Sequence, residues 1–201
     1  MTELTQETLP RLTFVVRRGP SAAKVGPSLR PVGPVRSLLP DGTESEPRAF
    51  AMYELVEGLT VNFCLDFPTH MASVTPENLE SLGLSVEDAL LQALQNLQAL
   101  YGSLTLSGID EGLFVVQYES PEYAPSFVLH DGVWAWTREN FPAGMGFSIP
   151  TRTEFLLADA THTSAMKRLG ELTQELFHQV DAPHRGTDII YRYLDGRMQP
   201  F

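Results

Sequence analysis

A chain of 201 residues that is 43% hydrophobic and 19% charged can bury a substantial core and is not a disordered polar tail. Its single cysteine, Cys64, excludes an internal disulfide framework and fits a reducing compartment. A net charge of −11 argues against nucleic acid as a partner, because phosphate is repelled over most of such a surface.

The charge is unevenly spread. Residues 10–48 carry seven basic and three acidic residues, a net of +4, whereas residues 49–201 carry seven basic and twenty acidic, a net of −13. The opening MTELTQETLP has neither a basic n-region nor an apolar h-region, so no signal peptide is expected. No apolar run approaches the roughly 20 residues that a membrane span needs. The setting these features predict is the cytoplasm of a bacterium, with no membrane contact.

In chain order, 12–17 reads as a short strand. Gly-Pro then recurs at 19, 26 and 33. Proline fixes φ and lacks an N–H, so 19–47 is expected as an extended, polyproline-like loop, either a docking arm or a plain insertion. Segments 50–56 and 59–67 read as a hairpin around Glu57-Gly58. In the second of these, Leu59, Val61, Phe63, Leu65 and Phe67 alternate with Thr60, Asn62, Cys64 and Asp66, which predicts one core face and one polar or covered face.

Thr75-Pro76-Glu77 starts a short helix: a hydroxyl cap, a proline at the first helical position, then an acid. Ser85 opens a longer one with an apolar stripe from Val86 through Ala89, Ala93 and Leu97 to Leu100, and Gly102 closes it. Strands follow near 103–107 and 112–119. Residues 121–140 fit two readings: Asp131-Gly132 can be a hairpin turn, or Phe127, His130, Asp131 and Trp134 can share a helix. Strands near 146–149 and 153–158 precede a helix over 163–180. Segments 188–194 and 198–201 form a last hairpin around Asp195-Gly196.

Two blocks look like copies. Phe63-Cys64-Leu65-Asp66-Phe67-Pro68-Thr69-His70 resembles Phe155-Leu156-Leu157-Ala158-Asp159-Ala160-Thr161-His162, each an apolar strand ending at Asp, then Thr-His, then an amphipathic helix. The expected architecture is one α+β domain, a mostly antiparallel sheet with helices packed on one side. It would contain two pseudo-repeats, about 49–119 and 145–201, joined by a linking helix at about 123–137.

Three stretches resemble the YtpQ family, a set of uncharacterised bacterial proteins. They are FVVR at 14–17, VNFCLDF through SLGLSVEDALLQALQNLQAL at 61–100 with Leu65-Asp66 and Asn96-Leu97, and FSIPTRTEFLLADATHTSAMKRL at 147–169. The family pattern has a helix at 123–134, so the resemblance implies a helix there. Two departures stand out: a longer N-terminal extension carried by relatives has no counterpart here, and the Gly-Pro insert is additional. The resemblance implies no activity and supplies no catalytic residues.

Candidate chemistry is sparse. Asp66 and Asp159, with His70 and His162 following, can be metal ligands or a base with its orienter. They can equally be short acceptors for backbone N–H groups at turns. His178, Asp181 and His184 cluster after the last helix, where a histidine meets the negative end of the helix dipole. Gly144-Met145-Gly146 precedes a strand and so lacks the helix start of a phosphate loop. Cys64 reads as a buried structural thiol. Trp134 and Trp136 open an aromatic stretch that is either a peptide-binding patch or core. Arg17 and Arg152 are candidates for anion contacts, or for pairing with local carboxylates. These features favour a non-enzymatic binding or adaptor module that needs no cofactor and whose partner is a protein or a second copy of the chain. The alternative is a metal-assisted hydrolase at Asp66 and Asp159.

Overall fold

The computed structural model describes residues 4–19, 29–36 and 42–201, and these build two antiparallel sheets in an α+β arrangement. The first sheet contains β1 (Leu12–Arg18), β2 (Arg30–Pro31), β3 (Met52–Val56), β4 (Leu59–Phe67) and β5 (His70–Ser73). Its order is β1-β4-β3-β2, with β5 also paired to β4. Helices α1 (Pro76–Ser81) and α2 (Val86–Tyr101) follow.

Next come β6 (Thr105–Asp110) and β7 (Leu113–Gln117), a 3-10 segment at Pro121–Leu129 and helix α3 (Asp131–Asn140). The chain ends with β8 (Met145–Ser148), β9 (Leu156–Asp159), α4 (Thr163–Gln179), β10 (Tyr191–Leu194) and β11 (Arg197–Pro200). The second sheet runs β11-β10-β8-β9-β7-β6. Of the Gly-Pro stretch, 20–28 and 37–41 lie outside the described residues. Within the described part, β2 pairs with β3, and Val35 bridges Arg48.

Local chemistry explains the helix ends. The Thr75 hydroxyl accepts the Asn78 N–H at 3.3 Å while the Asn78 side chain accepts the Thr75 N–H at 3.1 Å, a reciprocal cap. At α2 the Ser85 hydroxyl accepts the Asp88 N–H, and Gly102 closes the helix at φ 74°. The linking segment is helical but not one helix: Pro125 sits inside the 3-10 stretch, and His130 separates it from α3.

The two similar blocks fold differently. In the second, β9 turns through Ala160-Thr161 into α4. In the first, His70 opens a strand, not a helix: Pro68-Thr69 reverse the chain, and Phe67 pairs with His70 and Asp66 with Met71. Proline, with no N–H to offer a ladder, suits that reversal. The hairpins are also used differently. β10–β11 extends the sheet of β8 and β9, whereas β6–β7 leaves the first sheet and pairs with β9, Leu113 opposite Ala158.

Both faces of β4 are covered. Val61, Phe63 and Leu65 are buried with Leu12, Phe14 and Val16 of β1, and on the opposite face Thr60 and Asp66 are only 1% and 8% exposed. The 3-10 segment explains the second covering, since the Tyr123 hydroxyl reaches Thr13 Oγ1 at 3.4 Å. The outer edge of β1 is capped by side chains. Asn96 Nδ2 donates to the Leu12 carbonyl at 2.8 Å, and the Ser126 hydroxyl donates to the Phe14 carbonyl at 2.9 Å. Capping an edge in this way removes a template for unwanted strand pairing.

Helices lie on both faces of the second sheet, although a one-sided layer is the simpler expectation. On one face Leu113, Leu156 and Ala158 pack against Ala165 and Leu169 of α4. The small residues Gly146 and Ser148 let α4 come close: a Cβ at Gly146 would stand 2.5 Å from Met166 Sδ, and the Thr173 hydroxyl bonds Ser148 Oγ at 2.8 Å. On the other face Trp134 of α3 stacks on Tyr193 at 3.8 Å, and Phe147 stacks on Tyr191 at 5.0 Å. One apolar cluster runs through both sheets. They meet at the β3–β4 turn, where Gly58, at φ 80°, is hemmed in by Thr187, Ile189 and Tyr191.

Candidate functional site

The four-residue Asp/His set does not converge. Asp159 Oδ1 accepts both the N–H and the hydroxyl of Thr161 at 2.8 Å, shaping the turn into α4. His162 follows, with Nδ1 3.4 Å from Ser164 Oγ. Asp66 lies in the other sheet, buried, and accepts the Tyr101 hydroxyl. Burial first, and Asp66 second, hold that phenol well above its ordinary pKa. His70 is exposed and stacks on Phe67 at 5.1 Å. His178, Asp181 and His184 are exposed. Among the described residues, no three His, Cys, Asp or Glu side chains assemble as a metal set.

The two tryptophans part company. Trp134 is 2% exposed and donates its indole N–H to the Val128 carbonyl at 2.7 Å, so it is core. Trp136 is half-buried and packs edge-on against Phe114 and Phe141. Cys64 is buried, 3.3 Å from Thr13 Oγ1. Burial pushes its thiol up to about 11, which removes it as a nucleophile near neutral pH.

Arg17 and Arg152 belong to different sheets, and the charge of Arg152 acts on Arg17. Arg17 lies near the end of β1, opposite Thr60, on the face that also carries Asn62. Arg152 lies in the connection between β8 and β9, which backbone bonds pin on both sides: Arg152 N–H to the His184 carbonyl at 3.0 Å, Gly186 N–H to Pro150 at 2.9 Å and Thr187 N–H to Ile149 at 2.8 Å. Both arginines are half-buried.

Among the described residues, neither arginine makes an ion pair. Among the described residues, the pairs within 4 Å are Arg36–Glu44, Lys167–Glu171 and Arg168 with Glu171 and Glu175. Arg17 Nη1 donates to the carbonyls of Val16 at 3.0 Å and Glu122 at 3.5 Å. Its Nε and Nη2 have no partner among the described residues, nor does the guanidinium of Arg152. Burial and then the charge of Arg152 lower the Arg17 pKa to about 10, with Glu122 acting in the opposite sense. Arg17 thus stays charged at neutral pH while held beside a second cation. Arg18 and Arg185 both lie over the Phe177 ring, at 5.8 and 5.1 Å from its centre. The Asn62 amide oxygen is buried without a partner.

This arrangement can hold an anion. The unused Nε–Nη2 edge of Arg17 is the side of a guanidinium that binds an oxyanion through two parallel bonds. Arg18, Arg185 and Phe177 escaped the sequence reading. The adjacent pair Arg17-Arg18 at a strand end is a signal for the first of them, but nothing in the chain marks Phe177 as a platform for two arginines.

A separate shallow cleft of about 200 Å³ lies between Arg138, Phe141, Tyr193 and Asp195, where Arg138 Nη1 donates to the Tyr193 hydroxyl at 2.9 Å. Among the described residues, no helix is long and apolar enough to cross a membrane. Comparison with protein-family models, with curated proteins and with solved structures finds no match to this chain, so the YtpQ resemblance rests on the three sequence stretches alone.

Proposed function

We propose that the chain is a non-enzymatic binding module of the bacterial cytosol whose ligand presents an anion to Arg17 and Arg152. One observation carries the reading: Arg17 and Arg152 are both half-buried, the charge of Arg152 acts on Arg17, and among the described residues no carboxylate lies within ion-pairing distance of either, on a chain of net charge −11. Buried like charges raise each other's cost, and an opposite charge placed between them offsets it. Of the twenty acidic residues after position 48, none lies within 4 Å of either arginine. The unpaired Cys64 accords with a reducing compartment.

The test is calorimetric titration of the whole chain with small anions in low-salt buffer. Saturable binding is expected, weakened about tenfold or more in Arg17→Gln and in Arg152→Gln, since a charge-assisted hydrogen bond contributes about 1.5–3 kcal/mol. Binding that both variants leave unchanged would refute the reading.

A further inference from the structure

We infer that the free edge of β6 is where the chain pairs with a second copy of itself, the two β6 strands lying antiparallel about a twofold axis at Ser107. The second sheet ends in β11 on one side and in β6 on the other. The N–H and C=O of one strand residue point the same way, and the direction alternates along the chain. On β7, Val116 N–H donates to the Phe155 carbonyl and the Gly112 carbonyl accepts the Asp159 N–H, so Val115 and Gln117 turn toward β6. Their partners Ser107 and Thr105 therefore bond inward, and Leu106 and Gly108 turn N–H and C=O outward. Among the described residues nothing pairs with those groups. The other edges are blunted. Phe201 N–H bonds inward to Ile190, so Pro200 of β11 stands outward with no N–H to offer. The edge of β1 is capped by Asn96 and Ser126. β6 carries neither device.

The strand suits a copy of itself. Leu104–Ile109 carry no charge, although each chain carries −11, and the acids Asp110 and Glu111 come to opposite ends of an antiparallel pair. In this register Leu106 of each copy faces Gly108 of the other, and the two outward residues exchange backbone bonds. A Cβ at Gly108 would meet nothing within 4 Å, which leaves room beside it for that leucine. Ile109, 48% exposed, adds an apolar side chain at the same edge.

Sedimentation equilibrium of the whole chain from about 1 μM to about 1 mM, a span that brackets weak association, should show the mass rising toward that of a dimer. Hydrogen exchange over the same series should slow at the Leu106 and Gly108 amides by about tenfold or more, whereas Ser107, already paired with Val115, should change less. Gly108→Pro removes an outward N–H, and Ile109→Lys places a charge at the edge. Each should weaken association about tenfold or more while circular dichroism stays that of the wild type. A mass that stays that of a single chain throughout overturns the inference. So does a dimer whose exchange protection lies away from Leu106 and Gly108, or one that both folded variants leave intact. Should neither variant fold, the wild-type exchange series decides the matter.

Discussion

The hydroxyl of Tyr191 in β10 donates to the carbonyl of Glu57 at 2.6 Å, so the second sheet grips the hairpin turn of the first. That turn adjoins the end of β1, where Gly19 N–H donates to the Gly58 carbonyl at 2.9 Å. The joint that unites the sheets therefore lies beside the end of the strand that carries Arg17.

Tyr191→Phe removes the hydroxyl and keeps the packing of the ring on Phe147. The Glu57 carbonyl then loses a partner in a part-buried setting, which costs about 1–2 kcal/mol. Urea titration should show a lower midpoint at an unchanged slope. A changed slope would mean that the two sheets no longer unfold together.

Asn96 Nδ2 donates to two carbonyls, Leu9 and Leu12, each at 2.8 Å. Asn96→Ala removes both bonds; the Leu9 carbonyl keeps the Leu12 N–H, but the Leu12 carbonyl loses its side-chain donor, so the change should cost about 1–3 kcal/mol. Asn96→Asp should cost more, because it turns a carboxylate toward two carbonyl oxygens. Equal midpoints for the two variants in denaturant would contradict this account of the β1 edge.

Two glycines should respond in opposite directions. A Cβ at Gly186 would lie 2.0 Å from the Ile149 carbonyl oxygen, a backbone atom that cannot step aside. Gly186→Ala should therefore lower stability by about 3 kcal/mol or more, within the range reserved for overpacked positions. Gly170, within α4, has only an ordinary 3.5 Å contact with Ile190. Gly170→Ala should raise stability by up to about 1 kcal/mol through helix propensity. Thermal melts of both variants check the contrast.

Cys64 is held neutral by burial, its thiol raised to about 11. In the unfolded chain it ionises near its ordinary value, about 8.5. Between those pH values the unfolded state binds fewer protons than the folded state, so this group's contribution to stability is complete below pH ~8.5 and falls as pH rises toward 11. Labelling with a thiol reagent at pH 8 should be slower in the native chain than in urea by about a hundredfold or more. Comparable rates would show the thiol to be accessible.

Local chemistry carried much of the fold into the sequence. β4 follows from its strict alternation, α2 from Ser85 and Gly102, and the last hairpin from Asp195-Gly196, whose φ values of 50° and 77° are those such a turn needs. The allegiance of β6–β7 was not legible, because a hairpin presents an edge on either side and its own residues do not say which neighbour it meets. Likewise Thr69-His70 and Thr161-His162 are alike as letters, yet one pair enters a strand and the other a helix. The difference comes from the flanking elements: β4 has nine residues, and β5 folds back along its end, whereas β9 has four and the chain goes on into α4, which has its own apolar face to bury. Arg17 and Arg152 were visible as residues. That the charge of one reaches the other depends on how the sheets are joined, as at Tyr191 and Glu57, a bond that spans 134 positions of the chain.

The central claim is that Arg17 and Arg152 wait for an anion instead of completing a structural ion pair. Thermal melting of the wild type and of Arg152→Gln, each in low-salt buffer and then in saturating phosphate, tests it most directly. Removing the Arg152 charge that acts on Arg17 should leave the melting temperature in low salt equal to or above that of the wild type, and should remove most of the rise that phosphate gives. A variant that melts lower in low salt and gains as much from phosphate as the wild type would contradict the claim.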